Sequence, residues 1–272
     1  MTYEWPPLVP GDQDEVARRV AAVLEEAWQR LADKQRAVIA QFVDSPRAPH
    51  TAATLEEFKK AIRAFRKRVD QEAQQFVQRQ LPHLYAAGAG VAAEALGETF
   101  TWTMFHRDAL QSLAADSYAD FLRRSQEAER MASQFYRAAR EAARREVPLL
   151  AAGNMTAKQA ARQLASKLAA DHKLTHVIYR NGARVPVRAW AEAATLAKSA
   201  VAYNAGTLNR TRQAGVSMVE VFDGADCGWT THQDPDKANR TVRTVEEAVE
   251  WPISHPRCRR GFGPRPDIMA DA

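Results

Sequence analysis

Cysteine is almost missing from this chain, with two residues in 272. That excludes a disulfide framework and suits a protein assembled in a reducing compartment. No apolar run approaches the roughly 20 residues that a membrane helix needs. Met1 to Pro10 carries Glu4 and prolines where a secretion signal would place a basic segment followed by an apolar one. The expectation is a soluble protein made in the cytosol, with no membrane partner. A Walker-type glycine loop, a serine elbow and a His-Glu-x-x-His pair are all lacking. The chain therefore does not read as an enzyme, and no small-molecule substrate is expected. No internal repeat is visible.

What is present is ordinary for a globular chain: 46% hydrophobic and 26% charged residues, enough to bury a real core in one large or two modest domains. The net charge of +5 fits work near nucleic acid, but many soluble proteins carry as much.

Helical periodicity dominates the first half. Val20, Leu24, Trp28, Leu31 and Val38 recur at three- and four-residue steps after Gly11-Asp12 and predict a long helix ended by Pro46 and Pro49. Thr54 and Glu57 have capping-box spacing and predict the start of a second helix, with Phe58, Ile62, Phe65, Val69 and Phe76 on its stripe and a break at Pro82. From Tyr85 to Gly97 the chain is nearly all Ala and Gly, which reads as a closely packed helix or, alternatively, a linker. Phe100, Trp102, Met104 and Phe105 follow as core or a subunit contact. Asp108 to Val147 predicts another long helix, in which Arg123, Arg130, Arg137 and Arg144 repeat every seven residues. This stripe, like Lys59, Lys60, Arg63, Arg66, Lys67 and Arg68, reads as a solvated, ion-paired face, with phosphate contact as the alternative.

Pro148 and Gly153-Asn154 are the best candidate boundary, giving a helical N-terminal domain over 1–152 that faces partners and a C-terminal module over 153–272. Thr156 opens a short helix, and Asn181-Gly182 between Val177-Ile178-Tyr179 and Ala183-Arg184-Val185 predicts a β-hairpin. Ala189 to Gln213 reads as a helix closed by Gly215, Met218 to Phe222 as a strand, and Thr244 to Trp251 as a short capped helix, with Phe262 able to pair beside the strand. The fold class expected is mainly α: long helical hairpins or a bundle, then a small α+β module with a β-hairpin and a Cys/His-rich knuckle.

That knuckle is expected from Cys227, His232, His255 and Cys258, which bracket a loop. Two sulfurs and two imidazoles are a ligand set suited to a closed structural zinc site. A disulfide closing the loop, or two unrelated buried thiols, are the other readings.

Five pieces of the last hundred residues resemble the minor capsid, or head morphogenesis, proteins of tailed bacteriophages, the group that includes the F protein of phage Mu. They are Tyr179-x-Asn181-Gly182-x-Arg184-x-Pro186, Ala202-Tyr203-Asn204-x-Gly206, Ala214-Gly215-Val216-x-x-Val219-Glu220-Val221, Asp226-Cys227 and His255-Pro256-x-Cys258-Arg259-Arg260. The resemblance implies a structural virion component that joins the procapsid near the portal, with portal, major capsid or scaffold protein as partner, and stays in the capsid interior or at the portal vertex. It also implies contact with packaged DNA. Arg257, Arg259, Arg260 and Arg265 are the candidates for that contact, which would be nonspecific and salt-sensitive. Equally, they could pair with the acidic loop from Asp223 to Asp236 or with a neighbouring head protein. The enzymatic alternative is a zinc-dependent His/Cys nuclease with His232 or His255 as base.

Overall fold

A computed structural model describes residues 12–44, 48–146, 155–179, 181–223 and 239–268. The elements are α1 (Asp12–Asp44), α2 (Ala48–Gln75), α3 (Leu81–Ala95), α4 (Met104–Glu141), α5 (Ala157–Asp171), β1 (His176–Ile178), β2 (Arg184–Pro186), α6 (Val187–Gln213), β3 (Met218–Phe222), β4 (Val242–Thr244), α7 (Val245–Glu250) and β5 (Gly261–Pro264). Five-residue π-helical turns, Phe76–Gln80 and Ala142–Glu146, follow α2 and α4. No helix among the described residues is long and apolar enough to cross a membrane.

Two of these bounds depart from the sequence reading. Helix α2 begins at Ala48 rather than at Thr54. Pro49 is no obstacle there, because in a first turn the missing N–H has no intrahelical acceptor to lose. Pro82 sits in the first turn of α3 immediately after a π turn. The wider turn takes up the carbonyl clash and lost bond that proline imposes, so the expected break is a local change of winding.

The chain divides into two compact units. One contains Ala21–Ala73 and Asp120–Trp190. Its core is aromatic: Trp28 meets Phe65 edge-on at 4.5 Å and lies 5.9 Å from Trp190, while Phe58 meets Phe135 at 5.1 Å. Helices α2 and α4 run antiparallel here, since Tyr136 donates to Glu56 while Arg66 faces Glu129. Helix α5 opens on a capping box, with the Thr156 hydroxyl accepting from the Gln159 amide and the Gln159 side chain accepting from Thr156. Strands β1 and β2 form the expected hairpin, with Ile178 opposite Arg184.

The other unit contains Met1–Val20, Gln74–Ala119 and Ala191–Ala272. The Ala/Gly stretch is a helix, and α3 crosses α6 with their backbones nearly touching. A Cβ on Gly206 would stand 2.0 Å from the Tyr85 carbonyl oxygen, and one on Gly88 would stand 1.9 Å from that of Tyr203. Thr207 fills the crossing and donates to the Gly88 carbonyl at 3.0 Å. At the end of α6, Gly215 adopts φ 77°, and the amides of Gly215 and Val216 reach back to Arg212 and Thr211. The chain then enters the antiparallel sheet β4-β3-β5, with Val221 opposite Phe262. Alternation along β3 buries Val219 and Val221 against Leu208, Val245, Ala248 and Phe262. Thr244 and Glu247 form their capping box at the start of α7.

The fold-class expectation needs one correction. The fold is mainly helical with two small antiparallel sheets, and among the described residues the expected Cys/His knuckle is not formed. Among the described residues no group of three or more His, Cys, Asp or Glu side chains is placed to hold a metal ion.

Candidate functional site

The segment from Trp251 to Arg260 is held by side chains from distant parts of the same unit. Asn204, fully buried on α6, donates from its amide nitrogen to the carbonyls of Pro252 at 2.7 Å and Arg260 at 2.9 Å. Arg260 turns inward and meets Asp223 through two bonds, Nε to Oδ1 at 2.7 Å and Nη2 to Oδ2 at 3.1 Å, and its Nη1 donates to the Trp251 carbonyl. Both side chains of the pair are nearly excluded from solvent, at 1% and 2% exposure. A bidentate geometry of this kind is what allows two desolvated charges to persist in a core.

The remaining candidate arginines point elsewhere. Arg259 grips Asp14 at 2.6 and 2.8 Å, Arg257 lies 3.7 Å from Glu192, and Arg265 bridges Asp267 at 2.7 Å and Glu220 at 3.1 Å. Hydrogen bonding to Asp267 raises Arg265 further above its ordinary value and lowers Asp267 below the carboxylate range. Each of the four arginines thus has its own carboxylate partner: one is internal, and three are half-exposed or exposed within ion pairs.

Among the described residues the expected metal site does not assemble. His255 and Cys258 are joined by a turn, with the Cys258 amide donating to the His255 carbonyl at 2.9 Å, and the Cys258 side chain is buried in the core at 5% exposure. Cys227 and His232 lie outside the described residues. His255 and Cys258 bring two donors where a closed zinc shell takes four. Because no third donor joins them among the described residues, the zinc cofactor and the zinc-dependent nuclease are both withdrawn.

Sequence reasoning missed a buried polar chain in the same unit. Tyr85 and His106, both fully buried, lie 2.9 Å apart from hydroxyl to Nδ1, and His106 Nε2 lies 2.9 Å from the Gln213 amide oxygen. Asn209 donates to the Tyr85 hydroxyl at 2.9 Å, and Gln213 donates to Thr103. The network assigns the proton of a neutral imidazole to Nε2, leaving Nδ1 to accept from Tyr85. A signal for it was present: Thr103 and His106, and Asn209 and Gln213, are each about one helical turn apart.

Burial holds His106 below the ordinary histidine value, with the bond to Gln213 opposing, and pushes Tyr85 up to about 12. The unfolded chain takes up a proton at this histidine near pH ~6.5, and the folded chain takes it up only at lower pH. Between the two the unfolded state binds more protons, so stability falls as pH drops below about 6.5 and this contribution levels off once the folded ring is protonated. Denaturant midpoints measured between pH 7.5 and 5 check this, and His106→Gln is expected to flatten that part of the profile.

Each basic face is paired in part with carboxylates of its own helix. Arg123 lies 3.7 Å from Asp120, Arg124 3.0 Å from Glu127, Arg145 3.2 Å from Glu141 and Lys60 2.8 Å from Glu57. Such pairs, three or four residues apart, are the usual content of a charged helix face in water. No protein-family model, curated protein or solved structure matches this chain.

Proposed function

We propose that this chain is a minor head protein of a tailed bacteriophage, a structural component that joins the procapsid and has portal, major capsid or scaffold protein as its partner. The observation that carries the reading is the role of the motif residues behind the resemblance to the Mu F-like family. Asn204 of the Tyr-Asn motif binds the backbone on both sides of the His-Pro-x-Cys-Arg-Arg motif. Arg260, which ends that motif, is bonded to Asp223, directly after β3. Gly206 permits the crossing with α3, and Gly215 turns the chain into the strand carrying Val219 and Val221. Three of the five motifs, spread over some sixty residues from Ala202 to Arg260, are thus tied to one another by bonds and packing. Residues shared through common architecture are expected to be of this kind, each holding two distant parts of a module together.

The reading gives no weight to DNA contact through Arg257, Arg259, Arg260 and Arg265, because each already has a carboxylate partner in the chain. Its test is co-sedimentation of the full chain with procapsids assembled from the portal, major capsid and scaffold proteins of the same genome. A few copies per particle, retained through a gradient, are expected. Particles assembled in its presence but free of it, with no binding to isolated portal or scaffold, would overturn the proposal.

A further inference from the structure

In the unit built from Ala21–Ala73 and Asp120–Trp190, helices α1 and α2 enclose an open groove of about 580 Å³. Its floor is small or apolar, made by Ala27, Leu31, Ala61, Ala64 and Phe65. Leu31 and Phe65 are anchored in the core, while Ala64 is exposed at the groove surface. Three alanines in the floor leave room for another backbone to approach both helices at the 8–10 Å axial separation of ordinary helix packing. On α2 the lining runs from Glu57 to Gln71 at three- and four-residue steps, about 21 Å at 1.5 Å per residue. That length matches about four turns of helix rather than a compact small molecule.

The charges on the rim are not balanced. Its carboxylates are already engaged from their own helices: Glu26 by Arg30, Asp33 by Arg36, and Glu57 by Lys60 at 2.8 Å. Glu57 is accordingly held below the ordinary carboxylate range, by Lys60 first and with a contribution from Lys34. Lys34, Lys67 and Arg68 remain, all exposed and none in an ion pair among the described residues. An apolar floor with Lys67 and Arg68 uncommitted on the α2 wall, and Lys34 on the α1 wall adding only a secondary attraction to Glu57, is complementary to an apolar stripe edged with carboxylates.

We propose that this groove docks an amphipathic helix of a partner protein whose apolar stripe is flanked by Asp and Glu. The inference rests on the groove and stands apart from the head-protein reading. A second copy of this chain, with its net charge of +5, is the poorer electrostatic fit.

The test uses the full chain and two fluorescein-labelled helical peptides of about four turns (~16 residues). Both carry leucine at i, i+3, i+4 and i+7 repeats; one has glutamate and the other lysine at the flanking positions. Anisotropy titration is expected to give saturable binding of the glutamate peptide and binding at least about tenfold weaker for the lysine peptide. Lys67→Glu with Arg68→Glu should weaken the glutamate peptide by about tenfold. Ala64→Trp, which fills the groove from an exposed position, should abolish saturation while circular dichroism and the melting curve stay close to wild type. Equal binding of the two peptides, no saturable binding of the glutamate peptide, or binding undiminished in Ala64→Trp would each overturn the proposal. So would displacement of the peptide by micromolar dodecanoate, which would assign the groove to a small amphiphile, or a dimer lost in Ala64→Trp, which would assign it to a second copy.

Discussion

Replacing Arg260 with alanine is expected to cost about 3–5 kcal/mol of folding stability, the larger of two effects that the C-terminal part of the chain predicts. The substitution leaves the Asp223 carboxylate at 2% side-chain exposure with its bidentate partner gone, and it removes a donor from the Trp251 carbonyl. An uncompensated buried charge is costlier than the pair is favourable, because desolvation persists after the attraction is lost. Arg260→Lys should fall between, since an ammonium cannot reproduce the two parallel bonds. The diagnostic comparison is Arg260→Met combined with Asp223→Leu, which removes both charges and should destabilise much less than Arg260→Ala alone. Urea midpoints for the set, at unchanged transition slope, measure the coupling. If the double variant proved as unstable as the single one, the buried pair would not be the source of the cost.

Gly206→Val is expected to lose about 3 kcal/mol or more, at the upper end of overpacking costs. The reason is steric and independent of charge. Even the first added carbon would lie 2.0 Å from the Tyr85 carbonyl oxygen and 3.0 Å from the Ala89 amide nitrogen, both backbone atoms that no rotamer change can move. Helices α3 and α6 would have to separate, exposing the contact made by Thr207 with the Gly88 carbonyl. Gly90 supplies the control, because it lies in the same helix α3 and nothing stands within 4 Å of a Cβ placed there. Gly90→Ala should therefore stabilise by about 0.5–1 kcal/mol through helix propensity alone. Thermal melts of the two variants should shift in opposite directions. A Gly206→Val protein as stable as wild type would show that the two helices do not approach as described.

Much of the local structure was legible in the residues. The stripe through Leu24, Trp28 and Leu31 and the one through Phe58, Phe65 and Val69 are buried as their spacing predicts. The capping residues Thr156 and Thr244, the stop at Gly215 and the hairpin around Asn181-Gly182 depend on neighbours within a few positions, so the sequence carries them directly. The capping signal at Thr54 was overridden, since α2 begins at Ala48. A cap is worth only about 1 kcal/mol, and a helix already extending through Pro49 does not need one there.

The sequence by itself determined where helices and strands form and which of their faces are apolar, because those follow from short-range spacing and backbone preference. Only the tertiary structure decided what each face meets. Periodicity identifies a buried stripe without naming its partner, so the pairing of α3 with α6 through Gly88 and Gly206 was not readable in advance. The arginine run illustrates the same limit: four residues similar in sequence became one internal ion pair and three separate outer ones, according to which carboxylate the fold brought near. The Cys/His spacing failed for that reason as well. Ligand types can be counted along a chain, whereas a metal shell exists only if the fold converges three or four of them on one point, and among the described residues it does not.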